Sequence, residues 1–95
     1  MADDAAGVSR SVEIVNRRGL HARASARLAR EASEFQSVVK VCKHDICVTA
    51  TSIMGLMMLG AAKGDTITVT AIGGDQDAAV EQLATLVTGR FGETE

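Results

Sequence analysis

Apolar and polar residues alternate in several stretches of the chain, and this two-residue period is typical of half-buried β-strands. In residues 10–15, Val12 and Ile14 alternate with polar neighbours. Residues 66–72 are rich in β-branched side chains and alternate throughout, which makes them the clearest strand in the sequence. The pattern therefore predicts one strand near residue 12 and another over residues 66–72.

Two further alternating runs lie close together and predict a β-hairpin. Residues 39–42 and 46–50 are separated by His44 and Asp45, which fit a two-residue turn. If these two residues form the turn, Cys42 lies opposite Cys47 on the neighbouring strand. Strand alternation then turns both thiols outward, away from the core.

The helical period of 3.6 residues appears in three places. Residues 22–35 predict a first amphipathic helix, Ser52 is a good N-cap for a short helix over residues 53–59, and Asp75 is expected to cap a final helix that ends at Gly89. The apolar stripes of the first and last helices are Ala24, Leu28, Ala32 and Phe35, and Val80, Leu83, Leu86 and Val87. The element order is thus β-α-β-β-α-β-α. Helices that all cover one face of a four-stranded sheet give a two-layer, open-faced α+β sandwich.

Composition restricts the functions that this fold can carry. The chain has 95 residues, enough for one core but not for a large enclosed substrate cavity. Its only aromatic residues are Phe35 and Phe91, and its formal net charge is -2. A chain with so few stacking platforms and no basic excess is not expected to bind nucleic acid.

The ends of the chain predict a single domain over residues 9–91, between a disordered extension at residues 1–8 and a tail at residues 92–95. Residues 1–8 are mostly small and acidic, and they lack the apolar core of a signal peptide or membrane anchor. We therefore expect a cytoplasmic protein with no membrane insertion. In that compartment Cys42 and Cys47 should remain thiols, and a cross-strand disulfide formed on oxidation would be incidental. Separately, we expect it to act as a monomer and to need no cofactor.

The chemistry-bearing segment is Gly19-Leu20-His21-Ala22-Arg23, at the predicted start of the first helix. Backbone N–H groups at a helix N-terminus lack internal partners and favour an anion, so those of Ala22, Arg23 and Ala24 can hold a phosphate. Arg23 adds charge-assisted donors, and the imidazole of His21 is a nitrogen nucleophile. A lone histidine here would more often be a helix cap or a surface residue, but the complete segment suggests covalent phosphorylation of His21.

These residues resemble the histidine-containing phosphocarrier HPr family of the bacterial phosphoenolpyruvate-dependent phosphotransferase system. A second motif supports the resemblance: Ser52-Ile53-Met54-Gly55-Leu56-Met57 followed by residues 59–65, and the similarity spans residues 10–90. The resemblance implies a four-stranded antiparallel sheet with three helices on one face. It also implies a carrier, not a self-sufficient enzyme, which takes a phosphoryl group from phospho-Enzyme I and passes it to an enzyme IIA domain.

The resemblance assigns roles to individual residues. It makes His21 the phosphoryl acceptor through Nδ1, and Arg23 the residue that stabilises the transferred group. Ser52 matches a serine that HPr serine kinase/phosphorylase modifies. The partner-docking residues are Arg30, Ile53, Met54 and Met57.

Two positions depart from the family pattern. Ala24 stands where the family usually has proline, and Thr51 where it usually has lysine. Ala24 restores a backbone N–H near the cap, and we expect it to alter phosphorylation of His21 modestly without abolishing transfer.

Three alternatives stay open at this stage. The chain could be a regulatory binding module controlled by phosphorylation of Ser52, with little relay through His21. As a carrier it could serve either the sugar-uptake or the nitrogen-related branch of the system. Cys42, His44 and Cys47 suggest a metal site only weakly, because a tight hairpin supplies three ligands and no fourth.

Overall fold

The fold of the chain, taken from a computed structural model, is described for residues 7–95. Most of the expected N-terminal extension, residues 1–6, lies outside the described residues. The elements are β1 (Val8–Glu13), α1 (Ala22–Ala32), β2 (Val38–Lys43), β3 (Ile46–Thr49), α2 (Ile53–Met58), β4 (Thr66–Ile72) and α3 (Gln76–Thr88), followed by a short 3-10 turn at Arg90–Gly92. This is the predicted β-α-β-β-α-β-α order.

The four strands form one antiparallel sheet in the order β1-β4-β2-β3. β4 is one of the two inner strands, since it pairs with β1 on one side and with β2 on the other. Val8 pairs with Ala71, so the prediction that the extension reaches residue 8 is wrong at that residue. In the hairpin, Cys42 pairs with Cys47 and Val41 with Val48, as the two-residue turn at His44 and Asp45 required.

The core lies between the sheet and the three helices on one of its faces. Ile67 and Val69 of β4, Leu28 of α1 and Leu83 of α3 are fully buried. α1 packs against α2 and α3, and α3 also covers β1 and β4. The predicted two-layer, open-faced α+β sandwich is therefore confirmed.

The predicted end of the first helix and the predicted side-chain cap of the last helix are both wrong. α1 ends at Ala32, not at Phe35, because the chain continues through shorter turns in which Phe35 N–H donates to the Ala32 carbonyl. Asp75 precedes α3 but makes no side-chain cap. Its carboxylate instead accepts hydrogen bonds from the N–H groups of Gln36 and Ser37, so it joins α3 to the loop before β2.

The expectation that Cys42 and Cys47 remain thiols is contradicted, because the two residues form a disulfide. Their Cα atoms are 4.0 Å apart, as in a closely spaced pair of facing residues in an antiparallel ladder. The hairpin register by itself therefore places the two sulfur atoms within bonding range. The disulfide lies on the sheet face opposite the helices, where Cys42 is half-buried and Cys47 exposed.

Within residues 7–95, no helix has both the length and the apolar character needed to cross a membrane.

Candidate functional site

The loop between β1 and α1 is fixed at Gly19, two residues before His21. Gly19 has a φ of 64°, in the left-handed region that glycine adopts at little cost. A Cβ at this position would lie 2.4 Å from the carbonyl oxygen of Ala61. The next N–H, that of Leu20, donates to the same oxygen at 2.9 Å. This close approach ties the loop to the segment that follows α2.

His21 is the N-cap of α1, as the sequence predicts. Its backbone carbonyl accepts from Ser25 N–H, and its side-chain Nδ1 accepts from Arg23 N–H at 3.3 Å. An amide N–H can only donate, so Nδ1 carries a lone pair and the proton of the neutral ring lies on Nε2. The predicted nucleophilic atom is therefore unprotonated, and it lies at the N-terminus of the helix.

The other ring nitrogen contacts a residue that the sequence did not single out. Nε2 of His21 lies 2.7 Å from Oε2 of Glu93, and given the tautomer above it donates to that carboxylate. Asn16, which is fully buried, donates from Nδ2 to Oε1 of Glu93 at 3.1 Å and to the carbonyl of Gly19 at 2.9 Å. The side chains of His21, Glu93 and Asn16 therefore form one connected hydrogen-bond network.

Electrostatics keep Glu93 ionised. Partial burial alone would raise the pKa of Glu93, but the hydrogen bonds from His21 and Asn16, with the nearby charge of Arg18, outweigh it. The net result is a pKa below the ordinary 4.5. At neutral pH the imidazole therefore faces a carboxylate.

A left-handed turn after α3 brings Glu93 to this position. Arg90, Phe91 and Gly92 all have positive φ, at 62°, 55° and 80°. Phe91 is buried in the core, and its carbonyl accepts from the guanidinium of Arg27. Nothing in the apolar pattern distinguishes Glu93 from the other acidic residue of the tail, Glu95, so its role could not be found from sequence periodicity.

Arginines surround the histidine on the solvent side. Arg17, Arg18, His21 and Arg23 line a shallow cleft of about 190 Å³, together with the tail residues Glu93, Thr94 and Glu95. Glu95 pairs with Arg17 at 2.7 Å. Arg23 also lines a neighbouring groove with Ala26, Arg27 and Arg30, so the predicted site arginine and the predicted docking arginine lie on one face of α1.

Of the predicted phosphate donors, Ala22, Arg23 and Ala24 all lie in the first turn of α1. The N–H that reaches Nδ1 is that of Arg23, not the one that Ala24 restores in place of proline.

Ser52 and the predicted docking residues lie on the adjacent α2. The Ser52 hydroxyl accepts from Gly55 N–H at 3.0 Å, which confirms its role as N-cap. Ile53, Met54 and Met57 are 45%, 70% and 43% exposed, whereas Leu56 on the opposite side of the helix is fully buried. A six-residue helix on a two-layer domain leaves this apolar side uncovered, as expected.

The alternative of a metal at the hairpin finds no support in the geometry. Cys42 and Cys47 are bonded to each other and do not offer thiolates. Among residues 7–95 there is no group of three or more histidine, cysteine or acidic side chains arranged to bind a metal ion. His44 is an exposed turn residue with a φ of 56°.

Comparison with known proteins gives this site a family context. Residues 8–89 match the family model described as "PTS HPr component phosphorylation site". The chain is 49% identical over 88 residues to phosphocarrier protein HPr of Neisseria meningitidis, covering 93% of this chain and 99% of that protein. It is 41% identical over 86 residues to phosphocarrier protein NPr of Shewanella violacea, covering 90% and 94%.

Solved structures of HPr proteins also match this chain. The crystal structure of HPr-C-His from Thermoanaerobacter tengcongensis matches with a TM-score of 0.88 and 39% identity, over 93% of this chain and 99% of that one. A histidine at a helix N-terminus on an open-faced sandwich, in a chain with these relatives, defines a phosphocarrier of the phosphotransferase system. The chain belongs to the HPr family, as its resemblance predicted.

Proposed function

We propose that this chain accepts a phosphoryl group from phospho-Enzyme I on Nδ1 of His21 and passes it to an enzyme IIA domain. The observation that carries the proposal is the state of the ring: Nδ1 is unprotonated at the start of α1 and accepts only a long hydrogen bond from Arg23 N–H, while Nε2 holds the proton against Glu93. A neutral imidazole in this tautomer can attack phosphorus without first losing a proton.

The surroundings of Nδ1 suit the transferred group. When Nδ1 bonds to phosphorus, it releases the N–H of Arg23, which then points toward the phosphoryl oxygens with the other N–H groups of the first turn. The bond that is lost is long, at 3.3 Å, so its loss costs little. The Arg23 guanidinium lines the same cleft and supplies charge-assisted donors.

Phosphoryl transfer through His21 is tested by incubating the chain with phosphoenolpyruvate and Enzyme I and measuring its intact mass. We expect a gain of one phosphoryl group that is lost in acid and absent in His21→Ala. The matched control is His44→Asn, because His44 is the only other histidine, and asparagine tolerates its positive φ. If the parent chain gained no phosphate, or His21→Ala gained as much, the proposal would be wrong.

We also propose that both partners dock on α1 and α2, through the exposed side chains of Ile53, Met54 and Met57 with Arg30 at the basic rim. A small apolar patch beside arginines suits transient contacts, in which charge speeds encounter and flexible methionines adapt to more than one partner. Met54→Ala should weaken both transfer steps by raising KM more than it lowers kcat. The same substitution at the half-buried Val48 of β3 serves as a control for a general loss of stability.

Regulation through Ser52 is the second candidate. Ser52 is half-buried at the N-cap of α2, next to the exposed Ile53 and Met54. A phosphate there would sit at a helix N-terminus, so the helix would persist while charge entered the docking surface. Whether HPr serine kinase/phosphorylase modifies Ser52 is tested with that kinase and ATP, with Ser52→Ala as control. A purely regulatory module would take phosphate on Ser52 and not on His21.

A further inference from the structure

Phosphate binding alone does not explain the contact between His21 and Glu93. The shallow cleft is basic, yet a carboxylate lies 2.7 Å from the imidazole in it. Both side chains are about four-fifths buried, with 21% and 20% of their surfaces exposed. A partly buried carboxylate costs free energy unless it is paired and hydrogen-bonded, and Glu93 is bonded to both the His21 ring and the Asn16 amide.

The fold holds Glu93 in place with several independent contacts. Asn16 donates to its second oxygen, and the buried Phe91 fixes the turn that precedes it. The turn itself contains two non-glycine residues, Arg90 and Phe91, in the left-handed region, which costs conformational energy. A chance surface contact would not be supported in this way.

We propose that Glu93 is the positioning residue of the phosphorylation site: it holds the proton of His21 on Nε2, directs phosphorylation to Nδ1, and balances the charge that the ring gains. The inference rests on the proposed function and adds a residue to the same site.

The transfer step shows why a carboxylate helps. The lone pair of Nδ1 forms a bond to phosphorus while the bond from phosphorus to the donor's nitrogen breaks and its electron pair returns to the donor. The proton on Nε2 stays where it is, so the phosphorylated ring becomes an imidazolium. Its new positive charge faces Glu93, and a carboxylate already in position stabilises that charge without reorganisation.

Three variants separate positioning from charge. Glu93→Ala removes both the acceptor and the charge, whereas Glu93→Gln keeps an oxygen that can accept from Nε2 but removes the charge and the hydrogen bond from Asn16. Glu81→Gln is the matched control, because it removes a carboxylate on α3 that pairs with Arg10 and does not line the cleft. Each variant is made in the His44→Asn background, and its thermal unfolding is compared with the parent to confirm the fold.

The test uses phosphoramidate, a small phosphoryl donor that loses ammonia as it phosphorylates imidazole and needs no partner protein. Phosphorus NMR then distinguishes the two ring isomers. We expect the parent and Glu81→Gln to carry phosphate on Nδ1 alone. Glu93→Ala should also give the Nε2 isomer, and its loading of Nδ1 should slow by about tenfold. Glu93→Gln should stay selective for Nδ1 but load more slowly than the parent.

Loading of Glu93→Ala on Nδ1 alone, at the parental rate, would overturn the inference. The outcome is separate from that of the proposed function, because phosphoramidate bypasses Enzyme I. If the parent chain loaded from phosphoramidate with the expected selectivity but took nothing from phospho-Enzyme I, the relay would fail while the role of Glu93 stood.

Discussion

Replacing Gly19 with alanine should destabilise the fold more than the same change at any open glycine. Gly19 and Gly60 share a φ of 64°, but the space around them differs. A Cβ at Gly19 would lie 2.4 Å from the carbonyl oxygen of Ala61 and 2.9 Å from the Cα of Ala62. A Cβ at Gly60 would meet nothing within 4 Å. Gly60→Ala is therefore a matched control with the same backbone strain and no steric clash.

The magnitudes follow from these two terms. Both substitutions place an alanine in the left-handed conformation, which lowers the free energy of unfolding by about 1 kcal/mol. Gly19→Ala also forces two backbone segments apart, which adds about 2 kcal/mol by analogy with overpacked cores. Loss of conformational entropy in the unfolded chain affects both variants alike and cancels. The difference in unfolding free energy should be about 2 kcal/mol, or roughly 10 °C in Tm for a domain of this size.

Chemical denaturation of the two variants measures this difference directly. Because Leu20 N–H donates to the Ala61 carbonyl, displacement of the loop also moves His21. Gly19→Ala should therefore accept phosphate more slowly even at temperatures where it is fully folded, whereas Gly60→Ala should keep the parental rate. Equal destabilisation of the two variants would refute the reasoning, because it would show that a Cβ at Gly19 does not clash with Ala61.

Three other predictions concern single contacts. Ser52→Ala should lower the unfolding free energy by about 1 kcal/mol through loss of the N-cap, and Ser52→Asp should restore most of it, both measured by denaturation. Reduction of the Cys42–Cys47 disulfide should lower the free energy of unfolding by about 2 kcal/mol, because the loop that it closes is short. A variant with serine at both positions should have the same stability with and without reductant. Hydrogen bonds to the Asp75 carboxylate, above all the one from the Ser37 hydroxyl, hold its pKa in the folded protein below 3.8. The stability that these bonds add is therefore fully present above pH 3.8 and is lost as the pH falls through the pKa of the folded state. Asp75→Asn should therefore weaken the acid dependence of the denaturation midpoint, and an unchanged acid limb would contradict the assignment.

Local sequence signals were sufficient for most of the architecture. The alternation in residues 66–72 predicted β4 with its bounds, because β-branched residues on a half-buried face allow one register. The turn at His44 and Asp45 determined which residues face each other in the hairpin. Ser52 as N-cap and His21 at the start of α1 also followed from short-range chemistry, since a cap bonds to N–H groups only two or three residues away.

The tertiary structure decided what depends on residues far apart in the chain. Asp75 was expected to cap α3, but the loop at Gln36 and Ser37 offers its carboxylate better donors, which no local pattern reveals. The cysteines were expected to remain thiols on the evidence of compartment, whereas the strand register places them in bonding range.

The same distinction applies to the site. The sequence by itself predicted His21 as the candidate nucleophile, its position at a helix start and the arginine beside it, because these lie within five consecutive residues. It could not reveal which residue faces Nε2 of His21. That residue is Glu93, which is 72 positions away and follows a left-handed turn that contains the buried Phe91. Contacts of this kind arise from packing of the whole domain, and no periodicity in the sequence encodes them.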